Sequence, residues 1–291
     1  MGEIADKLVS SILVTGFLFF PRNPFGTGFS FFYLCCAKIT QLDKIKVGIV
    51  SYLNTRPLIY GLKLDPIASQ IELLEDNPAR LAEMLKNDEI DLGLIPVAAI
   101  HELKESHLSG DYCIGTEGEA ASVCLFSEVP LGQIEKVYLD YQSRTSVELL
   151  KWIMHEYWGI HPEIVNAANE DYRKEIKGTT AGLVIGDRAF EQRKLSTFFY
   201  DLGAEWKKIT GQPFVFAAWI SNKKLPDEFI KIFNEANALG LTHINEIVAS
   251  HPFDLYDLKK YYTLHMNYLL DDGKKKAMEY FLQLIGEESW S

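Results

Sequence analysis

The chain has 291 residues, 47% of them hydrophobic and 24% charged, a balance that suits one large or two modest globular domains. A formal net charge of −11 argues against general affinity for nucleic acid phosphates or anionic lipid. Anions are then left to local devices such as arginines and helix starts.

The first 44 residues differ from the rest. An apolar run from Ser11 to Phe20 is broken by Pro21 and Pro24, and a Phe- and Gly-rich stretch follows from Phe25 to Ala37. Neither reaches the roughly 18 uninterrupted apolar residues of a membrane span. Glu3 and Asp6 come before the first basic residue, Lys7, and Tyr33-Leu34 before Cys35 is unlike a small-residue cleavage site. Segment 1–44 is therefore expected to be a disordered or mis-annotated leader, with the domain proper beginning near Lys44. The four cysteines, Cys35, Cys36, Cys113 and Cys124, have no C-x-x-C spacing, so free thiols in a reducing compartment are expected.

From Lys46 onward, short apolar runs alternate with amphipathic stretches, the pattern of an α/β protein. Strands are expected at Val47–Val50, Ile90–Ile95, Val123–Phe126, Val137–Asp140, Ala181–Ile185 and Phe214–Ile220. Asn77 followed by Pro78 opens a helix with Leu81, Met84 and Leu85 on one face. A second helix is expected from about Ser143, with Thr145 and Glu148 as a capping box and Val147, Leu150, Met154 and Tyr157 along one side. Stripes at Phe229, Ile232, Phe233, Ala236 and Leu239, and at Met278, Phe281, Leu282 and Ile285, read as core faces.

The common catalytic signatures are missing. There is no G-x-G-x-x-G after a strand, no phosphate loop and no G-x-S-x-G elbow. His101 and His107 lie six apart, unlike a helical metal pair, so neither metal nor cofactor is expected.

Polar residues instead crowd into turns. Ser51, Tyr52, Asn54, Thr55 and Arg56 fall where the first strand meets a helix, a place where α/β sheets bind ligands and a helix start favours a carboxylate. The bland alternative is that Thr55 caps the helix and Asn54 fills a turn. Ser143, Arg144, Thr145 and Ser146 repeat this chemistry after Val137–Asp140, with simple caps and a surface charge as the alternative. Two such turns point to a ligand with two negative groups, held between two lobes. Ser122, entering a strand in Gly118-Glu-Ala-Ala-Ser-Val-Cys-Leu-Phe126, reads by itself as a turn residue. Thr210 begins a turn that feeds a long apolar strand, a buried connection between lobes. Asp187 is expected to cap a helix, with a position facing the cleft as the alternative.

Together, Ser51-Tyr-Leu-Asn-Thr-Arg-Pro-Leu58, Asp91-Leu-Gly-Leu-Ile-Pro-Val-Ala98, Ser143-Arg-Thr-Ser-Val147 and Thr210-Gly-Gln-Pro-Phe-Val-Phe216 resemble the chorismate dehydratases of the futalosine route to menaquinone. The first motif is the most specific, and the resemblance covers about residues 45–291. It departs at Gln212, where a leucine is usual, and in the N-terminal extension.

The resemblance implies an α/β, two-lobed type II periplasmic-binding-protein-like fold with a central cleft. Residues 45–133 plus 213–291 would form one lobe and 134–212 the other. It implies a cytoplasmic lyase that removes water from dianionic chorismate to give 3-[(1-carboxyvinyl)oxy]benzoate, without metal or cofactor. No nucleic acid or membrane partner is implied, and the oligomeric state stays open. By position, Ser122 and Asn54 match the family's functional serine and asparagine. Arg56, Arg144, Thr145 and Ser146 are candidates to anchor carboxylates, and Ser51, Tyr52, Ser143 and Thr210 complete the candidate substrate contacts.

Two rivals share the fold. Dihydroxynaphthoate synthase of the same pathway carries a Pro-Asn-Asp pattern where Leu53-Asn-Thr55 stands here. A non-catalytic solute-binding protein for a small dicarboxylate would want a cleavable signal.

Overall fold

The computed structural model describes residues 44–287. The leader expected over 1–44, Lys44 apart, and Cys35 and Cys36 lie outside the described residues.

The chain opens with β1 (Ile45–Val50), whose Val47 to Val50 are buried, and turns through a 3-10 segment, Leu53–Thr55, into α1 (Arg56–Leu62). β2 (Ile71–Asp76), α2 (Pro78–Lys86), β3 (Leu92–Pro96), a 3-10 segment over Val97–Glu102 and β4 (His107–Thr116) follow. Next come β5 (Val123–Ser127), β6 (Lys136–Leu139), α3 (Thr145–Trp152), β7 (Glu163–Asn166), β8 (Thr180–Ile185), α4 (Asp187–Leu195), β9 (Phe198–Asp201) and α5 (Leu202–Thr210). β10 (Phe214–Ser221), α6 (Asp227–Thr242), α7 (Ile244–Ser250), α8 (Leu258–Lys260), a π-turn over Tyr261–His265, β11 (Asn267–Leu269) and α9 (Asp272–Glu287) complete the fold.

The strands form two mixed sheets. One has the order β11-β4-β10-β3-β1-β2, with β1 parallel to β2 and β3, and β10 antiparallel between β3 and β4. The other has the order β7-β6-β8-β5-β9, with β6 parallel to β7 and β8, and β5 antiparallel between β8 and β9. Helices pack against β3, β5 and β10, which are buried along their whole length, as their apolar runs require. The chain passes between the sheets twice, first through Glu117–Ser122 and again through Gly211–Pro213. The division expected at 133/134 does not coincide with the first passage: β5 pairs with β8 and β9, so the second sheet already begins at Val123.

All six expected strands form, their ends shifted by at most two residues. β2, β7, β9 and β11 escape the apolar pattern because each is an edge strand with at least one solvated flank. β4 is masked by Gly110, whose φ of +108° interrupts its alternation. α2 opens at Pro78 as expected, and Asn77 caps it, accepting from the Arg80 N–H at 3.0 Å. The capping box at α3 does not form. Ser143 Oγ accepts from the Ser146 N–H at 3.1 Å, while Glu148 pairs with Lys151. Of the α6 stripe, Phe229, Phe233 and Ala236 are buried but Leu239 is 39% exposed, because the face turns out to solvent at the helix end.

Two glycines place α1. A Cβ on Gly61 would stand 1.7 Å from the Ala236 carbonyl oxygen, and one on Gly240 would stand 1.6 Å from that of Pro57. Only bare backbone lets α1 and α6 approach so closely. Cys113 and Cys124 are free, buried thiols, and burial pushes the Cys113 thiol up to about 12.

Candidate active site

The turn after β1 is fastened from within. Thr55 Oγ1 lies 2.5 Å from the Val50 carbonyl and 2.7 Å from that of Tyr52, so the hydroxyl braces the turn and does not cap α1. The backbone carbonyl of Asn54 accepts from Tyr268 Oη at 2.8 Å. Asn54 Oδ1 is buried with no hydrogen-bond partner among the described residues.

Ser122 ends the first passage between the sheets, and its approach is held by a buried carboxylate. Asp201 accepts from the Ala120 and Ala121 N–H groups at 2.9 and 2.8 Å while capping α5 through the Ala204 N–H at 3.1 Å. Arg193 Nε donates to the Ala121 carbonyl at 2.8 Å, with Ala121 at a φ of +63°. That clamp leaves Ser122 Oγ buried 2.7 Å from Tyr261 Oη.

The Ser143–Ser146 turn rests on a second buried carboxylate. Asp140 accepts from Gln142 N–H, Tyr172 Oη and Arg188, each at 2.8 Å. Gln142 in turn accepts from Tyr52 Oη, which ties the first turn to the second. Burial pushes the Tyr52 phenol well above its ordinary range, despite the opposing pull of Arg188, so it keeps its proton and donates. Other contacts cross between the sheets here: Leu53 N–H to Asp187 Oδ1 at 2.9 Å, and Ala98 N–H to Thr145 Oγ1 at 3.2 Å.

These parts enclose one pocket of about 530 Å³, counting its open mouth. Tyr52, Asn54, Thr55, Ser122, Ser143 and Ser146 supply its polar wall; Pro96, Ile114, Phe216 and Met266 are among its apolar surfaces. Pro78, Ser146 and Gly186 also line it, so α2, α3 and α4 all begin at its wall. Helix starts carry partial positive charge, and three of them facing one space favour an anion. No His, Asp, Glu, Lys or Arg among the described residues lines the pocket. Among the described residues, no three His, Cys, Asp or Glu side chains gather as a metal-binding group.

Of the sequence candidates, Tyr52, Asn54, Ser122, Ser143 and Ser146 therefore meet. The others do not line the pocket. Ser51 is exposed. Arg56 is close enough to Asp187 and Tyr262 for its charge to lower the pKa of both, and its Nε is buried with no hydrogen-bond partner among the described residues. Arg144 is bonded to Glu102, with Glu83 at 3.8 Å. Thr145 is buried against Ala98, and Thr210 bonds the Trp206 carbonyl at 2.8 Å to close α5. Asp187 does not cap α4: the N-cap is Gly186, and the carboxylate reaches the first turn instead. Burial raises the Asp187 carboxyl above the ordinary carboxylate range, outweighing the Leu53 N–H and Arg56. Sequence reasoning missed Asp201, Tyr261 and Tyr268. Asp201 does precede a helical pattern as a cap would, but Tyr261 and Tyr268 act 139 and 214 residues away from their partners, and no local signal marks them.

The family model described as menaquinone biosynthesis matches residues 45–287. The chain belongs to the menaquinone biosynthesis family. Every pocket residue named above falls inside that match. The chain is also similar to the chorismate dehydratase of Thermus thermophilus, 27% identical over 269 residues, which span 82% of this chain and 94% of the relative. Among solved structures, protein AF1704 from Archaeoglobus fulgidus is similar with a TM-score of 0.66 at 17% identity, covering 84% of this chain and 97% of that one. The CA3427 gene product of Candida albicans, described as having the generic periplasmic binding protein fold, is similar with a TM-score of 0.57 at 15% identity, covering 86% and 92%. This family member therefore has a periplasmic-binding-protein-like α/β fold with two mixed sheets, as its motifs imply.

Proposed function

We propose that this protein is a chorismate dehydratase, a hydro-lyase that converts chorismate to 3-[(1-carboxyvinyl)oxy]benzoate. The two sheets are read as the cores of two lobes, with the substrate in the cleft between them. The observation that carries the reading is the meeting of Asn54 and Ser122 with Ser143 and Ser146 around one pocket, though they come from widely separated parts of the chain. The relative in Thermus thermophilus supports the choice of substrate.

The chemistry asks little of the protein beyond orientation. The C–H bond at the ether-bearing ring carbon breaks, its electron pair forms the new ring double bond, and the neighbouring C–O bond breaks with its pair leaving on oxygen. The ring becomes aromatic, so the overall driving force lies in the substrate. Ser122 donates a hydrogen bond to the departing hydroxyl, which leaves as water by taking up the proton removed from the ring carbon; Asn54 holds the ring. The pocket lining offers no carboxylate or imidazole as base, which favours a carboxylate of the substrate as proton acceptor. The starts of α2, α3 and α4 take the place of the anchoring arginines expected from sequence. Apolar walls such as Ile114 and Phe216 suit the ring, and keeping water out strengthens each hydrogen bond. We read the enzyme as cytoplasmic, in keeping with its free, buried Cys113 and Cys124.

Incubating the purified protein with chorismate and separating the products tests this directly. The expected outcome is an aromatic enol ether lighter than the substrate by one water. Saturable binding with no product would assign the pocket to a solute-binding role instead.

A further inference from the structure

The Ser122 hydroxyl has one neighbour whose consequence is specific. Ser122 Oγ and Tyr261 Oη lie 2.7 Å apart, both buried, and neither has another hydrogen-bond partner among the described residues. Two hydroxyls sharing one bond leave one proton over. Were Ser122 to donate, the spare proton would be the phenol's, for which no acceptor stands among the described residues; the Tyr261 ring packs against those of Phe190, 5.0 Å away and edge-to-face, Tyr256 and Tyr262. Should Tyr261 donate, the spare proton is that of Ser122, which lines the pocket while Tyr261 does not. A phenol is also the stronger donor and the weaker acceptor of the two, because its lone pair is drawn into the ring.

We propose that Tyr261 is a positioning residue that donates to Ser122 Oγ and so points the Ser122 proton into the pocket. This rests on the dehydratase reading for its catalytic meaning: the departing hydroxyl needs a donor, and a serine already accepting a hydrogen bond donates more strongly. Tyr261 is itself rigidly set. It opens the π-turn Tyr261–His265, its N–H donates to the Asp257 carbonyl at 2.9 Å, and its own carbonyl accepts from Met266 N–H at 3.0 Å. Isolated π-turns recur at functional sites, and this one turns Tyr261, Tyr262 and His265 all inward. Burial holds the phenol well above its ordinary range, so it stays a donor throughout the working pH span.

Tyr261→Phe keeps the ring contacts and deletes only the hydroxyl. It is expected to lower kcat about tenfold with KM changed less than about twofold, the size of one lost directed hydrogen bond. Ser122→Ala should lower kcat further, and the double variant should be no slower than Ser122→Ala alone. A structural role would instead add its loss to that of Ser122→Ala, and this would overturn the proposal. Wild-type protein that does not dehydrate chorismate would remove the functional reading, and a second measurement then decides the orientation by itself. In protein carrying ring-labelled tyrosine, the Tyr261 hydroxyl proton is expected as a slowly exchanging, downfield resonance that is lost in Tyr261→Phe and displaced in Ser122→Ala. Fast exchange of that proton with water would sink the assignment.

Discussion

Ser122 and Arg144 show how differently single residues can be read from their neighbours in sequence. Ser122 looks like an ordinary turn residue, yet the fold buries it at the pocket wall and leaves its hydroxyl one hydrogen-bond partner among the described residues, Tyr261. Ser122→Ala is therefore expected to lower kcat by about a hundredfold while KM moves only a few-fold, as for a group used in the transition state. Equal losses in steady-state turnover and in equilibrium chorismate binding would make it an anchor instead. Arg144 is the opposite case. A guanidinium beside two hydroxyls and a helix start suits a carboxylate ligand, but Glu102, 42 residues earlier, takes it. Arg144→Ala is accordingly expected to leave KM within about twofold and to cost no more than about 1 kcal/mol in urea unfolding, as partly exposed ion pairs do. A large rise in KM would return it to the site.

At the scale of elements, the site depends on where α1 and the first passage between the sheets are held. Gly61 and Gly240 let α1 lie against α6, and α1 carries the turn that presents Asn54. Gly240→Ala would force a Cβ into the Pro57 carbonyl, so a loss of about 3 kcal/mol or more is expected in denaturant unfolding. A near-neutral result would mean that the two helices slide apart freely. Asp201→Ala removes a helix cap and strips the acceptor from the Ala120 and Ala121 N–H groups. The expected cost is again about 3 kcal/mol, from one cap and two buried donors left unpaired. Since that loop delivers Ser122, kcat should fall even where the variant is fully folded. The interior strands other than β4 were legible because burial demands apolar runs. The edge strands were not, for their solvated flanks admit Glu72, Glu75 and Glu163.

Across the whole molecule, contacts beside the Ser51–Arg56 and Ser143–Ser146 turns join the parts of the chain that carry the two sheets, and two of their carboxyls titrate in opposite senses. Burial alone would raise the Glu102 carboxyl, but hydrogen bonds and charge from Arg144 and Lys86 bring it below the ordinary range. Its contribution is thus complete above the unfolded carboxylate value of about 4 and is lost as pH falls through the lower folded value. Asp187 is raised, chiefly by burial, so the folded form holds its proton more tightly than the unfolded form. Its contribution is largest at or below about pH 4 and declines as pH rises through the raised folded value. Urea midpoints measured against pH should therefore drop less on the acid side for Glu102→Gln and flatten on the neutral side for Asp187→Asn. Unchanged profiles would show that neither carboxyl is linked to folding.

The order of apolar runs, the helix start at Asn77-Pro78 and the polar turns at Ser51–Arg56 and Ser143–Ser146 were enough to read an α/β chain with polar strand-to-helix turns. These features depend on neighbours within a few residues, and so the sequence alone determines them. Which polar groups face one another is decided by packing between distant segments. Asp201 reaches back about eighty residues to hold the approach to Ser122, and Tyr268 crosses 214 residues to hold Asn54. Glu102 withdraws Arg144 from the pocket in the same way. Hydrogen bonds and ion pairs act over a few ångströms of space whatever their separation along the chain, and only the folded molecule sets that distance.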